Sequence, residues 1–251
     1  MIAILTTVAA LCSACGQSAP AAVTASPLSG SITVFAAASL NAGFKAAGAN
    51  FEKAHPGTTI DFNFAGSPTL VAQIQQGATG DVFASADQSN MQKLIDAGLV
   101  GTPTVFARNK LAIVVAAGNP KRINSLADLG RAGLLVVLCG STVPCGRYGA
   151  QALAKAGVKV TPASLETDVK SVVTKVALGE ADAGIVYVTD IKAAGRAVAG
   201  IPIADGQNVV ADYPVAALKA TQNGALAKAF IGYLLSADGQ NTLASFGFTS
   251  P

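Results

Sequence analysis

The sequence predicts an α/β fold of two lobes, each built on its own sheet, joined by two crossovers that form a hinge. Three observations predict it. Short strand-like runs alternate with amphipathic helical stretches through most of the 251 residues, which argues for parallel strands covered by helices on both faces. The alternation comes in two successive sets, so two sheets are expected. A closing segment follows after the second set has used its natural partners, so the chain is expected to return to the first lobe.

The first set opens with Ile32-Thr33-Val34-Phe35, whose β-branched and aromatic residues suit a strand. An amphipathic helix is expected over 40–54, a strand over 59–64, a helix over 68–76, the short strand Asp81-Val82-Phe83, and a helix over 88–96. The second set has strands over 111–115 and 134–138, helices over 147–156 and 169–178, and a strand over 184–188. A strand over 214–219 and helices over 224–235 and 239–244 close the chain. Lobe I is therefore assigned to 31–112 and 217–251, and lobe II to 113–216, with crossovers near Ala112 and Pro214. Ligands in open sheets of this kind sit at the carboxyl ends of strands.

The N-terminus differs in kind. Met1 to Leu11 is almost wholly apolar, followed by the small residues Ser13 and Ala14 and then Cys15. The run is too short to span a bilayer and matches the apolar core of a secretory signal, expected over 1–14. Leu11-Cys12-Ser13-Ala14-Cys15 resembles a bacterial lipobox, in which cleavage leaves Cys15 as the lipid-bearing first residue. An ordinary cleaved signal is the alternative. Residues 15–30, rich in Ala, Ser and Pro, have the composition of a linker that holds a domain off a membrane. The protein is thus expected outside the cytoplasm, lipid-anchored to the cell membrane.

Cys139 and Cys145 remain for the mature domain, and an exported chain meets an oxidising compartment. The turn-rich segment between them allows a disulfide; free buried thiols are the alternative. The net charge of +3, from 17 Lys and Arg against 14 Asp and Glu, has no basic run that would support nucleic-acid binding. The single histidine, His55, precedes Pro56 in a turn and reads as a surface residue. No nucleophile elbow, phosphate loop or metal-ligand pair is present, so no enzymatic activity is expected. An exported hydrolase using Ser39 or Ser67 would lack a base. A transcriptional sensor would need a helix-turn-helix where the apolar segment stands.

Four places share one design, a strand running into small or polar residues where a helix begins. These are Ala37-Ala38-Ser39-Leu40, Ala65-Gly66-Ser67-Pro68, Thr142-Val143-Pro144-Cys145-Gly146 and Thr167-Asp168-Val169. Each leaves unpaired N–H groups and the positive end of a helix dipole at the strand ends, which suits an anion. Ser67 reads as an N-cap with Pro68 as first helical residue. For each serine a plain helix cap is the alternative. For Tyr187, at the end of a strand, the alternative is a core aromatic whose hydroxyl bonds to backbone.

The chain resembles the periplasmic or lipid-anchored molybdate-binding proteins of ABC importers. The resemblance runs from Ser31 to Phe248, on Val34-Phe35-Ala36-Ala37-Ala38-Ser39-Leu40, Gly66-Ser67, Gly80-Asp81-Val82-Phe83-Ala84-Ser85-Ala86, Val143-Pro144-Cys145-Gly146, Gly184-Ile185-Val186-Tyr187, Tyr213-Pro214 and Gly247-Phe248. It implies a periplasmic-binding-protein-like fold of the second type, with the oxyanion held by Ser39, Ser67, Cys145, Val169 and Tyr187. It also implies molybdate or tungstate as ligand, no cofactor and no protein-held metal cation. The expected partner is an importer permease with a separate ATPase subunit; the chain itself is expected to be a monomer. Where the family often has Pro-Ala-Gly, this chain has Pro144-Cys145-Gly146, so the backbone donor is kept and a bridge to Cys139 would stiffen the loop.

The loop mouths carry no Lys or Arg except Arg147, one turn inside its helix. Neutral donors with no acceptor suit a fully deprotonated tetraoxyanion, whereas hydrogen phosphate would leave its proton unpaired. Sulfate is smaller and is filtered by size. A receptor for sulfate or phosphate is the alternative, and Asp168 pointing inward would favour phosphate; Asp168 capping the helix of Val169 would not.

Overall fold

The computed structural model describes Ile2 and residues 28–251. The expected signal, Cys15 and most of the linker lie outside the described residues. Among the described residues the elements run β1 (Gly30–Ala37), α1 (Asn41–Ala54), β2 (Thr58–Ala65), α2 (Ser67–Gln75), β3 (Val82–Ala84), α3 (Gln88–Asp96) and β4 (Thr104–Ala116). They continue with β5 (Val136–Cys139), α4 (Pro144–Lys155), β6 (Ser164–Glu166), α5 (Val169–Ala177), β7 (Ala183–Tyr187) and α6 (Val188–Ala194). The chain closes with β8 (Val198–Pro202), β9 (Val210–Ala217), α7 (Gly224–Leu235) and α8 (Ala237–Ser245). No described helix is long and apolar enough to cross a membrane.

The strands follow the order β2-β1-β3-β9-β4-β7-β5-β6, with β8 also on β4. The sheets are mixed rather than purely parallel as expected. β1 pairs in parallel with β2 and β3, and β5 with β6 and β7, but β4 and β9 run antiparallel to all their partners. The reason lies in the crossovers: a strand returning from the other half arrives reversed.

β4 is the long strand that joins the halves. Its first part pairs with β9 as far as Lys110 opposite Val210, and from Leu111 onward it pairs with β7 and β8. The expected strand over 111–115 is only the second part. The first contains Arg108, Asn109 and Lys110, which break the apolar pattern but are paired out: Arg108 Nε donates to Asp212 Oδ1 at 2.9 Å and Lys110 Nζ to Asp205 Oδ1 at 2.8 Å. All of β9 pairs on the β3 and β4 side, so the second crossing precedes Val210 rather than lying near Pro214. At this point the buried Asn208 acts as a strand in miniature. Its Oδ1 accepts the Leu111 N–H at 3.1 Å and its Nδ2 donates to the Leu111 carbonyl at 3.0 Å.

The first half packs on an aromatic cluster. Phe44 and Phe51 on α1 meet Phe106 of β4 and Phe230 of α7 with ring centroids 5.4–6.2 Å apart, an arrangement worth more than area burial alone. The second half is aliphatic, with Ile113, Val114, Val136, Val172, Val176 and Ile185 fully buried. His55 is half-buried, its ring tilted against Phe51 with centroids 4.4 Å apart.

Candidate functional site

Four strand-to-helix turns point at one another across the junction of the halves. Ser39 follows β1 in a short 3-10 turn, Ala38–Leu40, that leads into α1. Its hydroxyl caps nothing and lies 2.9 Å from Tyr213 Oη. Ser67 is not the cap expected of it: Gly66 occupies the cap position and Ser67 is the first helical residue. Its Oγ instead accepts the Ala86 N–H at 3.2 Å, which leaves its own proton free. Gly66 is dictated by contact between the halves, since a Cβ there would lie 2.2 Å from the Thr167 carbonyl oxygen.

On the other side, α4 begins at Pro144, so its first-turn N–H groups, Cys145 among them, have no intrahelical acceptor. Cys145 is bridged to Cys139 at the end of β5, with Cα atoms 5.8 Å apart. Only glycine fits beneath the bridge at 146, where a Cβ would meet the Gly140 oxygen at 2.1 Å. Val169 opens α5 behind Asp168. The Asp168 carboxylate accepts the Ser171 N–H at 3.0 Å and the Ser171 hydroxyl at 2.9 Å, so it is the helix cap. It lines the open cleft outside and not the cavity described next.

Ser39, Ser67, Cys145, Val169 and Tyr187 all line one small, tightly closed cavity. The rest of the wall is Ala37, Ala38, Gly66, Ala86, Val143 and Pro144, so among the described residues no charged side chain enters it. Each of the five is at most 5% exposed. Tyr187, at the end of β7, is fully buried, and its Oη has no hydrogen-bond partner among the described residues. Leaving such a group unpaired costs about 1–3 kcal/mol. Burial, with Tyr213, Tyr148 and two carboxylates nearby, pushes the phenol well above the ordinary tyrosine value, so it keeps its proton and can only be a neutral donor. The alternative of a hydroxyl bound to backbone is not what the structure contains.

The cations closest to the cavity are spoken for. Arg147 of α4 lies 3.3 Å from the buried Asp87 of the other half, and Lys170 of α5 lies 3.1 Å from the buried Asp190. Asp190 also accepts the Tyr187 N–H at 3.1 Å, and desolvation raises its pKa against the pull of Lys170. Asp87 caps α3 through the Asn90 N–H at 2.8 Å. These partners were missed from the sequence. The Asp87 cap had a local signal, aspartate just before an expected helix, but its partner on α4 had none.

Two α/β halves joined by two adjacent strands, closing on a buried cavity lined by helix N-termini, define the class of solute-capturing proteins with the periplasmic-binding fold. The family model for bacterial extracellular solute-binding proteins matches residues 32–249, and the chain belongs to that family. It is 45% identical over 241 residues to the molybdate-binding protein ModA of Mycobacterium tuberculosis, covering 95% of this chain and 92% of that one. The periplasmic molybdate-binding protein of Azotobacter vinelandii shares the fold at a TM-score of 0.77 and 21% identity, over 88% of this chain and 99% of that one. The sulfate-binding protein SubI of Mycobacterium tuberculosis does so at 0.76 and 21%, over 88% of this chain and 86% of that one.

Proposed function

We propose that the protein captures molybdate, and the nearly isosteric tungstate, on the outer side of the membrane and hands it to an ABC importer whose ATPase is a separate subunit. The observation that carries this reading is the Tyr187 hydroxyl, a buried proton donor with no acceptor among the described residues, facing a cavity that two serines and two helix N-termini also line. The donors are Ser39 Oγ, Ser67 Oγ, Tyr187 Oη and the N–H groups of Cys145 and Val169. Together they offset the desolvation of a buried dianion. The 45% identity to a molybdate-binding relative supports the choice of anion. The role we assign is binding without a chemical step, in keeping with the solute-binding family.

Lobe I comprises 31–112 and 217–251 and lobe II 113–216 on the sequence reading; the pairing of β9 supports moving residues 210–216 into lobe I. Closure of these lobes lets both donate to one anion, and the closed form docks on the permease as a monomer. Cleavage before Cys15 and lipidation of its thiol would tether the receptor. Labelling with a fatty-acid probe that is lost in Cys15→Ser, with export retained, supports the anchor; unlabelled native protein refutes it.

The receptor reading is tested by calorimetric titration of the mature domain with molybdate, tungstate, sulfate and phosphate in one oxyanion-free buffer. Tight binding of the first two alone is expected. Preferred binding of sulfate or phosphate would replace the ligand and keep the receptor; no heat from any of the four would overturn the oxyanion site.

A further inference from the structure

We infer that Tyr213 and Asn109, which line no part of the cavity, fix the direction of the hydrogen bond at Ser39 and thereby make the site select against oxyanions that carry a proton. The inference rests on the reading of the cavity as an oxyanion site. Its basis is a chain of four buried polar groups, Asn109, Thr189, Tyr213 and Ser39, each at most 5% exposed.

The chain has a defined sense. Asn109 Oδ1 accepts the Lys110 N–H at 3.0 Å, so the donor end of the amide is turned inward. There Nδ2 donates to Thr189 Oγ1 at 2.8 Å and to Tyr213 Oη at 3.4 Å. A phenol oxygen that accepts from Asn109 has its proton left for its other neighbour, Ser39 Oγ, 2.9 Å away. The opposite sense would strand the Tyr213 proton in the core, against an amide nitrogen that has no lone pair to offer. Burial holds Tyr213 far above the ordinary tyrosine value, so that proton is retained. Ser39 Oγ therefore accepts from Tyr213 and presents its own proton to the cavity.

Tyr213 is thus a positioning residue. With it, Ser39 faces the ligand as a donor, which suits a bare tetraoxyanion. Without it, the Ser39 hydroxyl can rotate and offer its oxygen, which is what the proton of hydrogen phosphate lacks elsewhere in the cavity.

The test is Tyr213→Phe, which retains the ring that packs edge-on against Phe106, Tyr187 and Phe248. Molybdate and phosphate affinities are measured by titration and competition at mildly alkaline pH, where phosphate is the hydrogen-phosphate dianion. Molybdate binding is expected to weaken roughly tenfold while phosphate binding holds or strengthens. A purely structural role would weaken both alike. Because Tyr213 acts through Ser39, the same substitution made in Ser39→Ala should leave the molybdate-to-phosphate ratio where Ser39→Ala put it. A ratio unchanged by Tyr213→Phe, or one shifted equally in the Ser39→Ala background, overturns the inference. Failure of the unmodified protein to bind molybdate would instead sink the receptor reading.

Discussion

The two walls of the cavity differ in what they present. The wall from β1 and β2 offers side-chain hydroxyls, Ser39 and Ser67, each held by a further group: the Tyr213 phenol behind Ser39 and the Ala86 N–H beside Ser67. The wall from the other half offers main-chain N–H groups at Cys145 and Val169, held by a disulfide and by the Asp168 cap, with Tyr187 as its one side-chain donor. A hydroxyl wall can be disarmed by deleting an atom. A main-chain wall can be disarmed only by moving the backbone, and this chain ties down that backbone.

The sharpest way to break the comparison is to keep the walls apart. Gly66→Val should weaken molybdate binding by roughly a hundredfold, because its side chain meets the Thr167 carbonyl and overpacking costs about 1–3 kcal/mol; titration with small-angle scattering would show weak binding and a larger radius. Tyr187→Phe should cost roughly tenfold to a hundredfold in affinity, the worth of a bond to a charged acceptor, while raising the melting temperature of the ligand-free protein, which loses an unpaired buried hydroxyl; unaltered affinity would remove Tyr187 from the site. Ser67→Ala should cost about tenfold and also lower stability by about 1 kcal/mol, since the Ala86 N–H loses its acceptor. Replacing Cys139 and Cys145 together by serine should lower stability by roughly 2 kcal/mol for so short a loop and affinity by only a few-fold. Smallest of all, Val169→Ala should leave affinity within about twofold, because its donor is main chain; a large loss would show that the side chain takes part.

How much could be read from the sequence follows the same division. The expected helices over 88–96 and 224–235 match α3 and α7 to the residue. β6, α6 and β8 are not legible: β6 is Ser164-Leu165-Glu166 with a single apolar residue, β8 carries Gly200 and Pro202, which read as breakers, and α6 spans only seven residues. The first part of β4 hid behind charges whose partners lie about a hundred residues away. At the site, Ser39, Ser67 and Tyr187 announce themselves by residue type at strand ends. The turns that hold Cys145 and Val169 are legible as strand-to-helix turns, but singling out these two residues within them takes the family resemblance, since a main-chain donor leaves no mark in the alphabet. The polar groups behind the walls, Asn109, Thr189 and Asp190, are brought in by pairings that no local pattern encodes.

The pairing of Arg147 with Asp87 and of Lys170 with Asp190 also bears on timing. A cleft whose cations are matched by carboxylates projects little field into solvent, so it does not draw anions in from a distance. Ligand arrival should therefore depend weakly on ionic strength, and sulfate and phosphate outside the cell should not crowd the entrance. On the proposed closure of the lobes, residence time would be set by how often they part, which would make the rate of opening, rather than the rate of encounter, the quantity that matches the receptor to a transporter.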